Sequence, residues 1–104
     1  MQFQIERIYL TADFDEYKDE GKQNSNTDVI VVLTNGQKYV ASFFAYNNIQ
    51  AMVEKNKETG DFFEGKYFWA KGMLLIEDCT RELIAKVLEH LIEEGDFDHV
   101  FQKL

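Results

Sequence analysis

Proline is absent from the 104 residues, cysteine occurs once, as Cys79, and eleven basic side chains stand against nineteen acidic ones. Without proline, no prolyl isomer can act as a switch or slow a folding step. A lone cysteine excludes an intrachain disulfide. Because a domain this small in an oxidising compartment generally carries several, the expected location is the cytoplasm. No apolar run approaches the ~20 residues a membrane helix needs, and Met1–Ile8 lacks the basic-then-apolar pattern of a signal peptide, so neither is expected.

The shortage of basic residues leaves a formal net charge of −8. Nucleic-acid phosphate is repelled by such a field, whereas a basic protein is attracted; the expected partner is therefore a basic protein and not DNA or RNA. The six glycines are dispersed, which removes a glycine-rich phosphate loop. Only two histidines occur. A sparse site from His90, Glu94, Asp96, Asp98 and His99 can be drawn, but zinc sites carry more His or Cys at tight spacing, and no metal is expected. Asp13-Phe14-Asp15 lacks the glycine and distal glutamate of a calcium loop. Cys79 follows Glu77-Asp78, whose charge disfavours a thiolate, so it reads as a buried structural residue. No cofactor and no catalytic constellation emerge, and the chain is not expected to be an enzyme.

What is abundant is apolar surface: 45% hydrophobic residues, with nine Phe and five Tyr, suffice for one packed domain over residues 1–104. Gln2–Leu10 reads as a strand with a slip at Glu6-Arg7 that fits a bulge or a bend. Residues 11–27 lose all apolar period and read as a mobile acidic loop. Two β-prone runs, Asp28–Thr34 and Gln37–Tyr46, flank Asn35-Gly36 and predict a hairpin with a two-residue type I′ turn. Pairing Thr34 with Gln37 places Ile30, Val32, Tyr39, Ala41 and Phe43 on one face and Val29, Val31, Leu33, Val40 and Phe44 on the other. Both faces are apolar, which predicts cover on both sides, by helices or by a partner chain.

Further along, Asn47 or Asn48 is a candidate cap for a helix carrying Ile49, Met52 and Val53, stopped by Gly60. Lys66–Ala70 and Met73–Glu77 read as two strands turning at Lys71-Gly72. Thr80 caps a helix with Leu83, Ile84, Val87, Leu88, Leu91 and Ile92 on one stripe and Glu82, Lys86, Glu89, His90 and Glu93 on the other face. Gly95 ends it, and Asp96 starts a last helix with Phe97, Val100, Phe101 and Leu104. The predicted architecture is a single α+β domain, a mainly antiparallel sheet of about five strands with two to three packed helices, in the order β-β-β-α-β-β-α-α.

Two acidic clusters are the candidate partner-binding residues: Asp13, Asp15, Glu16, Asp19 and Glu20 in the loop, and Glu89, Glu93, Glu94, Asp96 and Asp98 around the last two helices. Acidic side chains of this kind steer a basic partner, with Phe14 or Tyr17 as an anchor in the first cluster. Neutralising the five loop acids to Asn or Gln is expected to leave the melting temperature nearly unchanged, because no core contact is lost, and to slow association with a basic partner. A competing reading is a small enzyme or ligand-binding domain with a carboxylate and aromatic pocket around Tyr67 and Trp69.

The run Lys38-Tyr-Val-Ala-Ser-Phe-Phe-Ala-Tyr46 with Asn48-Ile49, followed by Lys55-Asn-Lys57, Thr59-Gly60, Gly65-Lys-Tyr-Phe-Trp-Ala70 and Met73-Leu-Leu-Ile76, resembles a family of small acidic bacterial proteins. Some of these are similar to immunity proteins of polymorphic or contact-dependent toxin systems. The resemblance spans residues 28–104. It implies a cytoplasmic protein that binds and neutralises a cognate toxin domain, often a nuclease, and it names no contact residues. Whether copies of the chain associate is left open.

Overall fold

The computed structural model describes residues 3–11 and 26–104. Its centre is the predicted hairpin, β2 (Asn26–Leu33) and β3 (Lys38–Ala45). Strand β1 (Ile5–Leu10) pairs antiparallel with β2, with the register shift between Ile5 and Arg7 that the sequence slip predicts. On the other side of β3 lie two short strands in line, β4 (Met73–Ile76) against Ser42–Ala45 and β5 (Gln102–Lys103) against Tyr39 and Val40. The result is the expected five-stranded, mainly antiparallel α+β sheet.

The hairpin turn differs from expectation. Gly36 N donates to Leu33 O at 2.9 Å and Leu33 N to Gln37 O at 2.8 Å, so the loop has three residues, Thr34-Asn35-Gly36. Positive φ is needed only at Gly36 (φ 88), as in a type I turn closed by a glycine bulge. Thr34 N is drawn instead to Gln4 O on the chain leading into β1, at 2.9 Å. Val31 therefore faces Tyr39 and Val29 faces Ala41, one residue away from the predicted register. A one-residue slip exchanges faces. Val29, Val31 and Leu33 join Tyr39, Ala41 and Phe43 in the core, each at most 8% exposed.

The opposite face carries Ile30, Val32 and Val40, all half-buried, with Tyr9 and Leu75 exposed. Phe44 on that face is covered by Phe68, ring centroids 5.5 Å apart. The predicted cover is thus found over β2 and β3 on the core face, while the opposite face is only partly covered.

Helix α1 (Tyr46–Thr59) begins directly after β3, with Ala45 at the capping position and no side-chain cap, so Asn47 and Asn48 lie inside it. Asn48 Oδ1 instead accepts from Asn26 Nδ2 at 3.3 Å. Asp61–Gly65 is a one-turn segment, α2, in which Phe62, Phe63 and Glu64 adopt left-handed φ of 53°, 53° and 59°. Lys66–Ala70 is not a strand. Phe68 leaves the sheet direction to pack against Phe44 and Phe62, and β4 then pairs with β3 in parallel. The 46–72 connection is long enough for the crossover that a parallel pair demands.

Helix α3 (Arg81–Glu94) conforms to its sequence signals: Thr80 Oγ1 accepts from Leu83 N, Ile84 and Leu88 are fully buried, and Glu82, Lys86, Glu89, His90 and Glu93 are exposed. The final helix is shorter than predicted. α4 (Phe97–Val100) gives way at Phe101 to β5, and Asp96, although it precedes α4, makes no side-chain cap bond. Phe97 and Phe101 stack at 4.8 Å, and Phe97 also meets Tyr39 at 5.3 Å and Phe3 at 4.8 Å, which ties the C-terminal segment to β3 and to the residues leading into β1. Cys79 is buried, its thiol directed at Phe43 O, in keeping with the structural reading.

Candidate functional site

Helix α3 lies along the core face of β1. Arg81 in its first turn donates from Nη1 to Ile8 O at 2.9 Å, while Ile92 and Glu93 in its last turn share a groove with Phe3 and Ile5. The helix therefore runs antiparallel to β1. Between the two is an open groove of about 470 Å³. One wall is the strand side, Phe3, Ile5 and Ile8; the other is the α3 stripe Ala85, Glu89, Ile92 and Glu93. Its character follows from local structure. Residues 85, 89, 92 and 93 recur at three- and four-residue spacing on one flank of the helix, and Ile5 and Ile8 share the core face of β1 because the bulge absorbs the odd residue between them.

The groove combines an apolar floor with a carboxylate rim. Phe3, Ile5, Ile8 and Ile92 are half-buried, whereas Glu89 and Glu93 are exposed one helical turn apart. Of the predicted second cluster, Glu94 lies 3.7 Å from His90 and Asp96 lies 3.5 Å from His99, both pairs on the surface. Glu89, Glu93 and Asp98 have no such ion pair among the described residues, and Asp98 is exposed in α4. The structure thus places two of the five acids, Glu89 and Glu93, on the groove and the other three next to the α3–α4 junction. The first cluster, Asp13, Asp15, Glu16, Asp19 and Glu20, lies outside the described residues.

Of the groove residues, only the acids Glu89 and Glu93 are among those the sequence predicts. Phe3, Ile5, Ile8, Ala85 and Ile92 were missed as site residues; the apolar alternation of β1 and the edge position of Ala85 and Ile92 on the α3 stripe were the signals available. Tyr67 and Trp69 are 54% and 63% exposed and lie away from this groove, in the segment that follows α2. Tyr67 packs edge-on against Phe62 at 5.6 Å, and Lys66 sits 5.3 Å over the exposed Phe63 ring. Among the described residues there is no group of three or more His, Cys, Asp or Glu placed to hold a metal ion, and no helix is long and apolar enough to cross a membrane.

On the open sheet face, Arg7 Nη1 donates to Tyr9 Oη at 3.2 Å, a bond that, with the nearby Tyr9 and Glu6 charges, raises the guanidinium pKa further. Asp28 accepts from Ser42 Oγ at 2.9 Å across the β2–β3 pair. Comparison with known proteins found no matching family model, no matching curated protein and no matching solved structure.

Proposed function

We propose that this chain is a non-enzymatic binding module that captures a basic protein, and specifically an immunity protein that neutralises a nuclease-like toxin domain in the cytoplasm. The observation that carries this reading is the pairing of an apolar groove with exposed carboxylates on its rim, in a chain of net charge −8. Apolar ground excludes water around a buried anchor, and rim charges of one sign accelerate the encounter with a partner of the other sign. An acidic inhibitor also competes for the surface on which a nuclease would hold phosphate. The resemblance of residues 28–104 to immunity-like proteins supplies the toxin as the class of partner.

Co-expression with any toxin-domain reading frame found beside its own gene tests the proposal. A stable complex and rescue of growth are expected; a toxin that still arrests growth and does not co-purify contradicts it.

A further inference from the structure

We propose that the groove between β1 and α3 is the seat of one amphipathic, basic helix of the partner. The inference rests on the binding-module reading above and adds where the partner docks and in what form. It starts from a gap in the helical layer. The core-face residues of β2 and β3 and Leu10 at the end of β1 are buried by the rest of the chain, but Ile5 and Ile8 in the first part of β1 are only half-buried, because the single helix α3 covers that end of the strand incompletely. A second helix laid beside α3 at the usual 8–10 Å spacing completes the layer.

An added strand fits less well. β1 is an edge strand, but its line is broken by the bulge between Ile5 and Arg7, and the Ile8 carbonyl is already taken by Arg81. Bulges and charged side chains on an edge are devices that prevent strand addition. A helix needs no backbone bonds from its host and is held by side chains at i, i+3, i+4 and i+7.

Charge selects the sign of that helix. Glu89 and Glu93 stand at i and i+4 along one wall, so a helix lying alongside meets them with Lys or Arg at the same spacing while its apolar stripe enters the groove. Both are without an ion pair or a histidine contact among the described residues, whereas Glu94 and Asp96 lie beside His90 and His99. A second copy of this chain does not supply such a helix: α1 has two lysines against two glutamates, and α3 has four glutamates against one Arg and one Lys.

The test uses three synthetic peptides of one composition, capped at both ends, made of Lys and Leu. One has leucines on a helical stripe, one alternates Lys and Leu to favour a strand, and one is scrambled. Each is titrated into the wild-type protein and into Glu89→Lys/Glu93→Lys, whose circular dichroism is expected to match wild type because both sites are exposed. The helical peptide is expected to bind most tightly, to gain helicity when bound, and to lose about tenfold or more in affinity to the double variant. Equal binding of the scrambled peptide, stronger binding of the alternating one, or no effect of the charge reversal overturns the inference. The same variant is then co-expressed with any toxin domain found encoded beside the gene. A complex that forms undiminished retains the binding-module reading and removes this groove from it, whereas helical-peptide binding in a protein that no neighbouring toxin engages retains the groove and removes the toxin.

Discussion

Replacing Phe97 by alanine is expected to lower unfolding stability by about 3–5 kcal/mol, a large share of the roughly 5–15 kcal/mol that a domain of this size possesses. The side chain is fully buried and its ring lies within 4.8–5.3 Å of the rings of Phe3, Phe101 and Tyr39. Truncation leaves a cavity whose walls are themselves rigid rings, so the site has little freedom to collapse. Urea denaturation followed by circular dichroism reads the loss as a lower midpoint, and Phe97→Leu, which refills most of the volume, is expected to recover more than half of it. Because Phe3 bridges Phe97 and the groove, the alanine variant should also weaken binding at the groove beyond what its folded fraction explains. A midpoint within error of wild type means that the C-terminal aromatic cluster is not part of the core.

Gly65→Ala is expected to cost about 2–4 kcal/mol, for a different reason. A Cβ on Gly65 would stand 2.8 Å from Val53 O and 3.2 Å from Lys57 N, both backbone atoms of α1, and 2.9 Å from Lys57 Cγ. Helix backbone cannot yield as a flexible side chain does, and the residue also has a φ of 75°. Three left-handed residues precede it, a conformation that costs roughly 1–2 kcal/mol per residue and persists only where packing enforces it. Here the packing is Phe62 against Tyr67 and Phe68, and Phe68 against Phe44. The expected result is local: aromatic NMR shifts of Phe62, Tyr67 and Phe68 move toward random-coil values while those of Phe97 and Phe101 stay, together with a lower melting temperature. A change below about 0.5 kcal/mol would mean that α2 can leave α1 at no cost.

These two sites mark where sequence reading succeeded and where it did not. Helix α3 was legible because three independent signals agreed on it, the Thr80 cap, the six-residue apolar stripe and the Gly95 stop. The hairpin was legible in place but not in register. Val29, Val31 and Leu33 are as apolar as Ile30 and Val32, so hydrophobic pattern did not choose between the faces, and the choice falls to the turn, where Thr34 N bonds to Gln4 O some thirty residues away in sequence. Tyr67-Phe68-Trp69 has the composition of a strand, yet short apolar runs do not distinguish a strand from an irregular segment packed on a neighbour. The left-handed turn before it has no sequence signature, since Phe and Glu are poor residues for positive φ.

The candidate site divides in the same way. Acidic side chains on the exposed flank of α3 follow from helical periodicity alone, so Glu89 and Glu93 could be named in advance. The groove they border could not, because its other wall is Phe3, Ile5 and Ile8, separated from them by most of the chain. That antiparallel alignment of α3 on β1 is a tertiary fact, fixed in part by Arg81 reaching the Ile8 carbonyl. The distinction between Glu89 and Glu93 on one hand and Glu94 and Asp96 on the other also depends on where His90 and His99 point.

The central claim is that a basic partner is held at the β1–α3 groove. Amide hydrogen exchange followed by mass spectrometry, on the protein alone and with the helical Lys/Leu peptide bound, measures this directly. The account predicts added protection in peptides covering residues 3–10 and 82–95, lost in Glu89→Lys/Glu93→Lys. Protection confined to the open sheet face around Ile30 and Val40, or to the Phe63–Trp69 segment, would contradict it.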